Sequence, residues 1–344
     1  MDIFSGISRE RLEEILNGIN NIKIALIGDL CIDIYWRADI RKSELSRETP
    51  HFSLPVVEES MSPGAGGNAA ANIAALRPGC VKVLGAIGRD WRGGVLKEKL
   101  KEAGIDIGNI AESGKIVTNA YCKPFRKGIS NVEYEDSRID FANYENLPGD
   151  TEEELMHLLE QCGSGIDVLC VSDQFSYGCI TPAIRDKIIS LALDGLKVVV
   201  DSRDRIGLYR GVVLKPNEVE IMKAVYRESG PINPSLESFA TAAEVLAESN
   251  RSEVCLTLGS IGCMYVNSRS VIHIPSYVVQ TPIDICGAGD TFLAAFSCAT
   301  ATGAEAFEAA SFANMAADVT IRKVGITGTA SPDEIRLRHK QIFS

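Results

Sequence analysis

A chain of 344 residues that is 45% hydrophobic can bury one large α/β core or two smaller ones. Its 46 acidic and 35 basic residues leave a formal charge of -11, which argues against a general nucleic-acid binder while leaving anionic small substrates open, since a local cationic pocket suffices. The ten cysteines are scattered through apolar runs, with no Cys-x-x-Cys pair and no Cys/His cluster at zinc spacing, so buried thiols in a reducing compartment are expected.

Residues 1–20 are charged and amphipathic, with Ile7, Leu12, Ile15, Leu16 and Ile19 near helical spacing. They lack the apolar core of a secretory signal, and no later run reaches membrane-spanning length, so a soluble, cytoplasmic protein is expected. Residues 22–30 read as a first buried strand, continuing into Gly28-Asp29-Leu30-Cys31-Ile32-Asp33. Residues 34–60 then turn polar. Pro63-Gly64-Ala65-Gly66-Gly67-Asn68 opens a helix of small residues that runs to Leu76. A strand at 81–87 and a helix at 94–103 follow. A second polar interruption covers 116–144, with β-branched and aromatic alternation at 121–125 and 132–141; both interruptions are too long for ordinary loops.

Beyond residue 144 the rhythm is regular. Strands are expected at 168–171, 197–201, 212–215 and 254–258, and helices at 182–193, 218–226, 236–248, 291–302 and 304–319. Ser331-Pro332-Asp333-Glu334 has the form of a capping box with Pro at the first helical position. Such alternation favours a parallel sheet covered by helices on both faces, with ligands at the carboxyl ends of the strands.

Asp284-Ile285-Cys286-Gly287-Ala288-Gly289-Asp290-Thr291 places a bare backbone turn beside a carboxylate at a helix start. Backbone N–H groups there attract anions, and glycine lets a phosphate approach closely. Asp290 could take the proton of a hydroxyl attacking that phosphate. The same residues also fit a plain glycine turn with Asp290 as a helix cap. Gly64-x-Gly66-x-x-Ala69 imitates a dinucleotide fingerprint, but such a fingerprint should follow the first strand at once, and here that strand ends in Gly28-Asp29-Leu30.

Together the Gly64–Asn68 and Asp284–Thr291 motifs resemble the paired signatures of the ribokinase or PfkB superfamily of sugar kinases, from residue 22 to about residue 335. Within it the chain is most similar to the D-glycero-β-D-manno-heptose 7-phosphate kinases. The resemblance implies one ribokinase-like domain over residues 1–344: a three-layer α/β/α sandwich with a mostly parallel sheet and a small β lid from 34–60 and 116–144. It implies transfer of the γ-phosphoryl group of ATP, with Mg²⁺, to a sugar or sugar-phosphate hydroxyl, a heptose 7-phosphate at its anomeric hydroxyl being favoured over a neutral sugar. In bifunctional relatives a nucleotidyltransferase follows the kinase; 344 residues are too few for one, so any second activity is expected on another polypeptide.

The resemblance also distributes roles. Asp290 is the implied base, and the N–H groups of Gly287, Ala288 and Gly289 the anion hole. Asp33, Gly64 and Asn68 stand where the family holds the sugar, with Asp29 as near competitor to Asp33. Asn217 and Glu220, in Lys215-Pro216-Asn217-Glu218-Val219-Glu220, match an Asn-x-x-Glu element that organises Mg²⁺, water and phosphate, with Glu220 acting through water. They also suit a helix cap. Thr257, Gly259 and Gly262 match the nucleotide loop, and Asn314 falls near the implied adenine site. Asp284 stands where several relatives bind a monovalent cation, which implies K⁺. Paired lids imply a homodimer. Two departures bear on the acceptor. Ser172-Asp173-Gln174-Phe175-Ser176-Tyr177-Gly178 lacks a lysine the heptose kinases carry, and Asp201-Ser202-Arg203 replaces Asp-Pro-Lys. Arg203 and Arg138 are therefore the candidates for holding an acceptor phosphate, unless each is merely a solvated charge. Cys286 replaces the commoner Thr. A non-catalytic sugar- and nucleotide-binding regulator is the reading from another class, and the intact Asp290 and glycine turn speak against it.

Overall fold

Aliphatic runs build a sheet buried on both faces. In the computed structural model, which describes residues 1–129, 132–227, 230, 231, 233–277, 279, 282–325 and 327–343, ten strands pair in one sheet. From edge to edge these are Asp2–Ile3, Val271–Pro275, Gly262–Val266, Glu253–Thr257, Val213–Leu214, Lys197–Ser202, Val168–Asp173, Lys23–Gly28, Cys80–Gly88 and Asp106–Ser113. Gly262–Val266 runs antiparallel to both its neighbours, and the other pairings are parallel. Alternate side chains serve opposite faces: Ile24 and Leu26 join one core, Ala25 and Ile27 the other. Helices Arg9–Ile19, Gly66–Ala75, Trp91–Glu102, Ala288–Ala301, Ala306–Ile321 and Pro332–Phe343 cover the first face. Gly149–Gly163, Pro182–Leu193, Glu218–Tyr226 and Leu236–Asn250 cover the second. The result is a three-layer α/β/α sandwich. Among the described residues no helix is long and apolar enough to cross a membrane.

A second sheet stands at the carboxyl ends of the strands. Its order is Val56–Ala65, Leu30–Asp39, Asn119–Lys127 and Glu133–Glu135, with Ile139–Phe141 also pairing to Asn119–Lys127. These strands occupy the two interruptions expected to form a lid, although residues 130 and 131 lie outside the described residues. The first lid strand starts at Leu30 rather than near 34. Asp29 is where the chain leaves the main sheet: its N–H still bonds Ser172 O at 3.0 Å, and Leu30 already pairs with Ala65. Alternation then divides the lid. Ile32, Ile34, Ala120 and Cys122 form a small core of their own with Val95, while Asp33 and Tyr35 lie in register with Tyr121 and Lys123 on the opposite face.

Other boundaries moved for local reasons. The helix expected from 291 begins at Ala288, so Asp290 falls inside its first turn. The helix expected at 94 begins at Trp91, because Asp90 caps it by accepting from Gly93 N–H at 2.9 Å. Strand Asp106–Ser113, at the sheet edge, was not anticipated; its Gly, Asn and acidic residues hide the aliphatic signal. All ten cysteines are free, and Cys286 is the exposed one.

Candidate active site

The glycine turn before helix Ala288–Ala301 is shaped by its neighbours. Gly287 has φ 79°, and a Cβ there would lie 2.9 Å from Thr327 Cγ2 and 3.0 Å from Asn68 Nδ2. No side chain caps this helix. The N–H groups of Gly289 and Asp290 sit in its first turn, where helix geometry supplies no acceptor, so they are available to an anion. The Ala288 N–H donates to Ile285 O at 3.2 Å and is the already engaged member of the expected anion hole.

Asp290 meets a polar frame carried by helix Gly66–Ala75. Asn68 Nδ2 donates to Asp290 Oδ2 at 2.6 Å. Asn72, one turn further on, donates to Asn68 O at 3.0 Å and accepts from Thr291 Oγ1 at 2.7 Å. Two helices far apart in sequence are thus locked through amides. Burial pushes the Asp290 carboxyl up to about 6; the Asn68 bond and Lys215 oppose this, and the charges of Asp201 and Asp33 reinforce it.

Asp33 is buried on the inner face of the lid. Its Oδ2 accepts from Lys123 Nζ at 3.2 Å, and its Oδ1 is buried without a partner among the described residues. Lys123 also donates to Tyr35 Oη at 3.3 Å, and Tyr35 Oη lies 3.4 Å from Thr327 Oγ1. Gly64 leaves room beside the free oxygen, since a Cβ there would lie 3.0 Å from Asp33 Oδ1 and 2.7 Å from Cys31 Sγ. Asp29, the near competitor, is spent on structure. Its carboxylate accepts the N–H groups of Gln174 at 2.8 Å, Phe175 at 2.6 Å and Cys179 at 2.7 Å. Burial and the nearby Asp173 nonetheless hold it up at about 6.

Of the two candidate arginines, Arg138 stacks on Tyr121. Arg138 stands 4.3 Å from the ring centroid, with its guanidinium paired to both oxygens of Asp140 at 2.7 Å. Arg203 is exposed and pairs with no carboxylate among the described residues. Burial raises the Tyr121 phenol against the pull of both cations, which places both within electrostatic reach of one side chain. Arg205, which sequence reasoning passed over, pairs with the fully buried Asp173 and also donates to Phe175 O at 2.7 Å. Ser202 Oγ and Tyr209 Oη complete the shell of Asp173 at 2.7 and 3.0 Å.

On the other side of the cleft, Asn217 caps helix Glu218–Tyr226. Its Oδ1 accepts from Val219 and Glu220 N–H, and Glu220 Oε2 accepts from Asn217 N–H at 2.9 Å, a complete capping box. Burial and Asp201 push Glu220 up to about 7 against Lys215. Thr257 Oγ1 donates to Pro216 O at 3.3 Å, which joins the Thr257 turn to the Asn217 loop. Gly259 and Gly262 both have positive φ. A Cβ on Gly262 would strike Ile274 O at 2.2 Å. Asn314 is buried and donates its amide to that same carbonyl at 3.1 Å, so it braces the sheet edge. Asp284 ties its loop by accepting from Cys286 and Gly325 N–H, each at 3.0 Å.

Sequence reasoning gave no role to Lys123, Asn72 or Lys215. The i, i+4 spacing of Asn68 and Asn72 on one helix face, and the strand alternation of Tyr121 and Lys123, were the available signals.

A parallel sheet between two helix layers, with a β lid at the carboxyl ends of its strands, is a ribokinase-like fold. Residues 211–333 match the family model described as pfkB family carbohydrate kinase. The chain is 30% identical over 334 residues to the bifunctional protein HldE of Geobacter metallireducens, and 32% identical over 334 residues to that of Geobacter sulfurreducens. Each match takes in 95% of this chain and 65% of the relative, so the chain spans about two thirds of the length of these relatives. Its fold is shared with phosphofructokinase-2 from Escherichia coli, solved in complex with potassium, at TM-score 0.74 and 20% identity over 94% of this chain and 100% of that one. Ribokinase of Arabidopsis thaliana, complexed with ribose and ATP, gives 0.68 and 21% over the same shares.

Proposed function

We propose that the chain is an ATP-dependent sugar kinase whose acceptor is a sugar phosphate, a heptose 7-phosphate taking the γ-phosphoryl group on its anomeric hydroxyl. The observation that carries the kinase reading is the pairing of two unlike carboxylates on one cleft. Asp33 offers a buried, unpartnered oxygen to a hydroxyl donor, and Asp290 stands at a helix start with free N–H groups beside it. A sugar held by Asp33 and Asn68 presents its hydroxyl to Asp290, which takes the proton as the oxygen attacks phosphorus. Gly289 and the first helical turn receive the phosphoryl charge.

Nucleotide phosphates then lie between the glycine turn and the Asn217–Glu220 and Thr257–Gly259 loops. Mg²⁺ keeps several of its waters and binds through few carboxylates together with substrate phosphates. Mg²⁺ would neutralise phosphate charge there, with Glu220 holding it through water. Asp284, whose oxygens keep lone pairs beyond their two N–H bonds, is the residue for K⁺.

The phosphorylated acceptor is supported by Arg203, Arg138 and Lys123 on the lid side, and by the likeness to HldE proteins. A neutral-sugar kinase is favoured instead by the engagement of Arg138 with Asp140. The test is ADP release over a panel of sugars and sugar phosphates, for wild type and Arg203→Ala. The expected result is preference for the heptose 7-phosphate, weakened by roughly 1.5–3 kcal/mol in kcat/KM by the substitution, with a free hexose unaffected. A wild type that prefers the free hexose, with Arg203→Ala altering neither, replaces this acceptor by a neutral sugar.

A further inference from the structure

Lys215 is the lysine that the fold buries at the cleft, with 2% of its surface exposed. It follows strand Val213–Leu214, its own N–H bonds Val200 O at 2.8 Å, and Pro216 with the capped Asn217 comes next. The backbone at 215 is therefore held from both sides. Its ammonium lies 3.2 Å from Asp201 Oδ2, the ion-pair partner it has among the described residues. An ammonium carries three protons, so one carboxylate leaves donors over. A buried Lys–Asp pair is weak grounds for a purely stabilising role, because desolvation offsets the attraction.

What stands opposite is the anion hole. A Cβ built on Gly289 would lie 4.0 Å from Lys215 Nζ, and outside its own helix and chain neighbours it would meet nothing else within that distance. The ammonium thus faces an open gap beside the helix start that the kinase reading assigns to the phosphoryl group. We propose that Lys215 is a further catalytic residue, the fixed cation that contacts the phosphoryl group during transfer. The proposal rests on the kinase reading above.

In that step the acceptor hydroxyl gives its proton to the Asp290 carboxylate, and the bond between acceptor oxygen and γ-phosphorus forms. The bond from γ-phosphorus to the bridging oxygen breaks, and its electron pair leaves with ADP. Lys215 exchanges no proton; it stabilises charge on the phosphoryl oxygens. It has a second effect on the base. The groups acting on Asp290 are Asn68 from helix Gly66–Ala75, Asp33 and the Cys31 thiol from the first lid strand, the Cys170 thiol from Val168–Asp173, Asp201 and Lys215. Lys215 is the cation in this set. Without it, the Asn68 hydrogen bond alone opposes Asp33, Asp201 and burial, and Asp290 takes up its proton at higher pH.

The experiment compares Lys215→Met, Lys215→Arg and the double variant Lys215→Met/Asp201→Asn, which removes the pair without stranding a carboxylate. On the acceptor that wild type uses, kcat in both neutral variants falls about 10²–10³-fold. Acceptor KM changes little. In Lys215→Met the acid limb of the kcat profile moves to higher pH, whereas in the double variant the loss of the Asp201 charge offsets that shift. Lys215→Arg keeps the charge but displaces it, so kcat falls by about one order of magnitude with the acid limb in place. Should neither neutral variant fold, Lys215→Arg decides alone, and a wild-type kcat overturns the proposal. A folded neutral variant with near wild-type kcat and an unmoved acid limb also overturns it, since a structural lysine would change only stability. If wild type binds ATP and phosphorylates no sugar, the kinase reading itself fails and takes the role of Lys215 with it. A working kinase with an indifferent Lys215 removes only this proposal.

Discussion

Asp290 is held in a protonation state that works against folding. An ordinary aspartate loses its proton near 3.8, and burial moves this one to about 6 in the folded protein. Between those values the folded chain keeps a proton that the unfolded chain has lost. The stability contribution is therefore full below about pH 4, is lost as pH rises through 6, and stays lost above. Asp290→Asn removes that penalty and keeps an acceptor oxygen for Asn68. The variant should match wild type in urea unfolding near pH 4 and exceed it near pH 8 by on the order of 1–3 kcal/mol. Its kcat should fall by about 10²–10⁴-fold as the proton acceptor is lost. Equal stabilities at both pH values would show that the carboxylate carries no desolvation penalty; turnover close to wild type would remove it as base.

At the scale of elements, the segment from Gln174 to Cys179 is a wall pinned by two buried acids. Asp29 takes three of its N–H groups, and Asp173 anchors Arg205, whose guanidinium holds the carbonyl of Phe175. Gly178 is forced by this packing, because a Cβ there would overlap Asp29 Oδ1 at 2.0 Å. The wall meets the lid edge-on, with Phe175 and Tyr121 ring centroids 6.2 Å apart. Arg205→Met strands the Asp173 carboxylate, and removing one partner of a buried pair costs about 3–5 kcal/mol. Denaturant unfolding should register that loss, and acceptor KM should rise while ATP affinity holds. Unchanged stability would mean that Ser202 and Tyr209 satisfy Asp173 alone. A parallel loss of ATP affinity would place the wall on the nucleotide side instead.

For the whole molecule, the open question is the lid's edge. Val56–Ala65 is an outer strand of its sheet, and Val56 and Val57 are 46% and 54% exposed there. An exposed edge with apolar side chains invites pairing, and a second copy of the lid would cover it. A homodimer is expected by light scattering, and Val57→Lys should weaken it by placing like charges across the symmetric contact. A wild-type monomer at every concentration would dismiss the lid contact.

Much of this architecture was legible in local pattern. Aliphatic runs marked the central strands, Pro216 and Asn217 announced a helix cap, and glycines marked the turns at 64–67 and 287–289. These signals depend on neighbours within a helical turn or a strand's alternation, and such neighbours are written into the chain order. Which acid faces the cleft was a different matter. Asp29 and Asp33 lie four residues apart, and only the departure of the chain into the lid sends one into the wall of 174–179 and leaves the other a free oxygen. Lys215 and Lys123 look like solvated charges in sequence. Burial beside Asp201 and Asp33 makes them part of the site, the second pair across 90 residues of chain. The Asn68–Asp290 bond spans 222 residues. Charge pairing and desolvation act through space, so their partners were settled only when the two sheets and the helix layers closed around them.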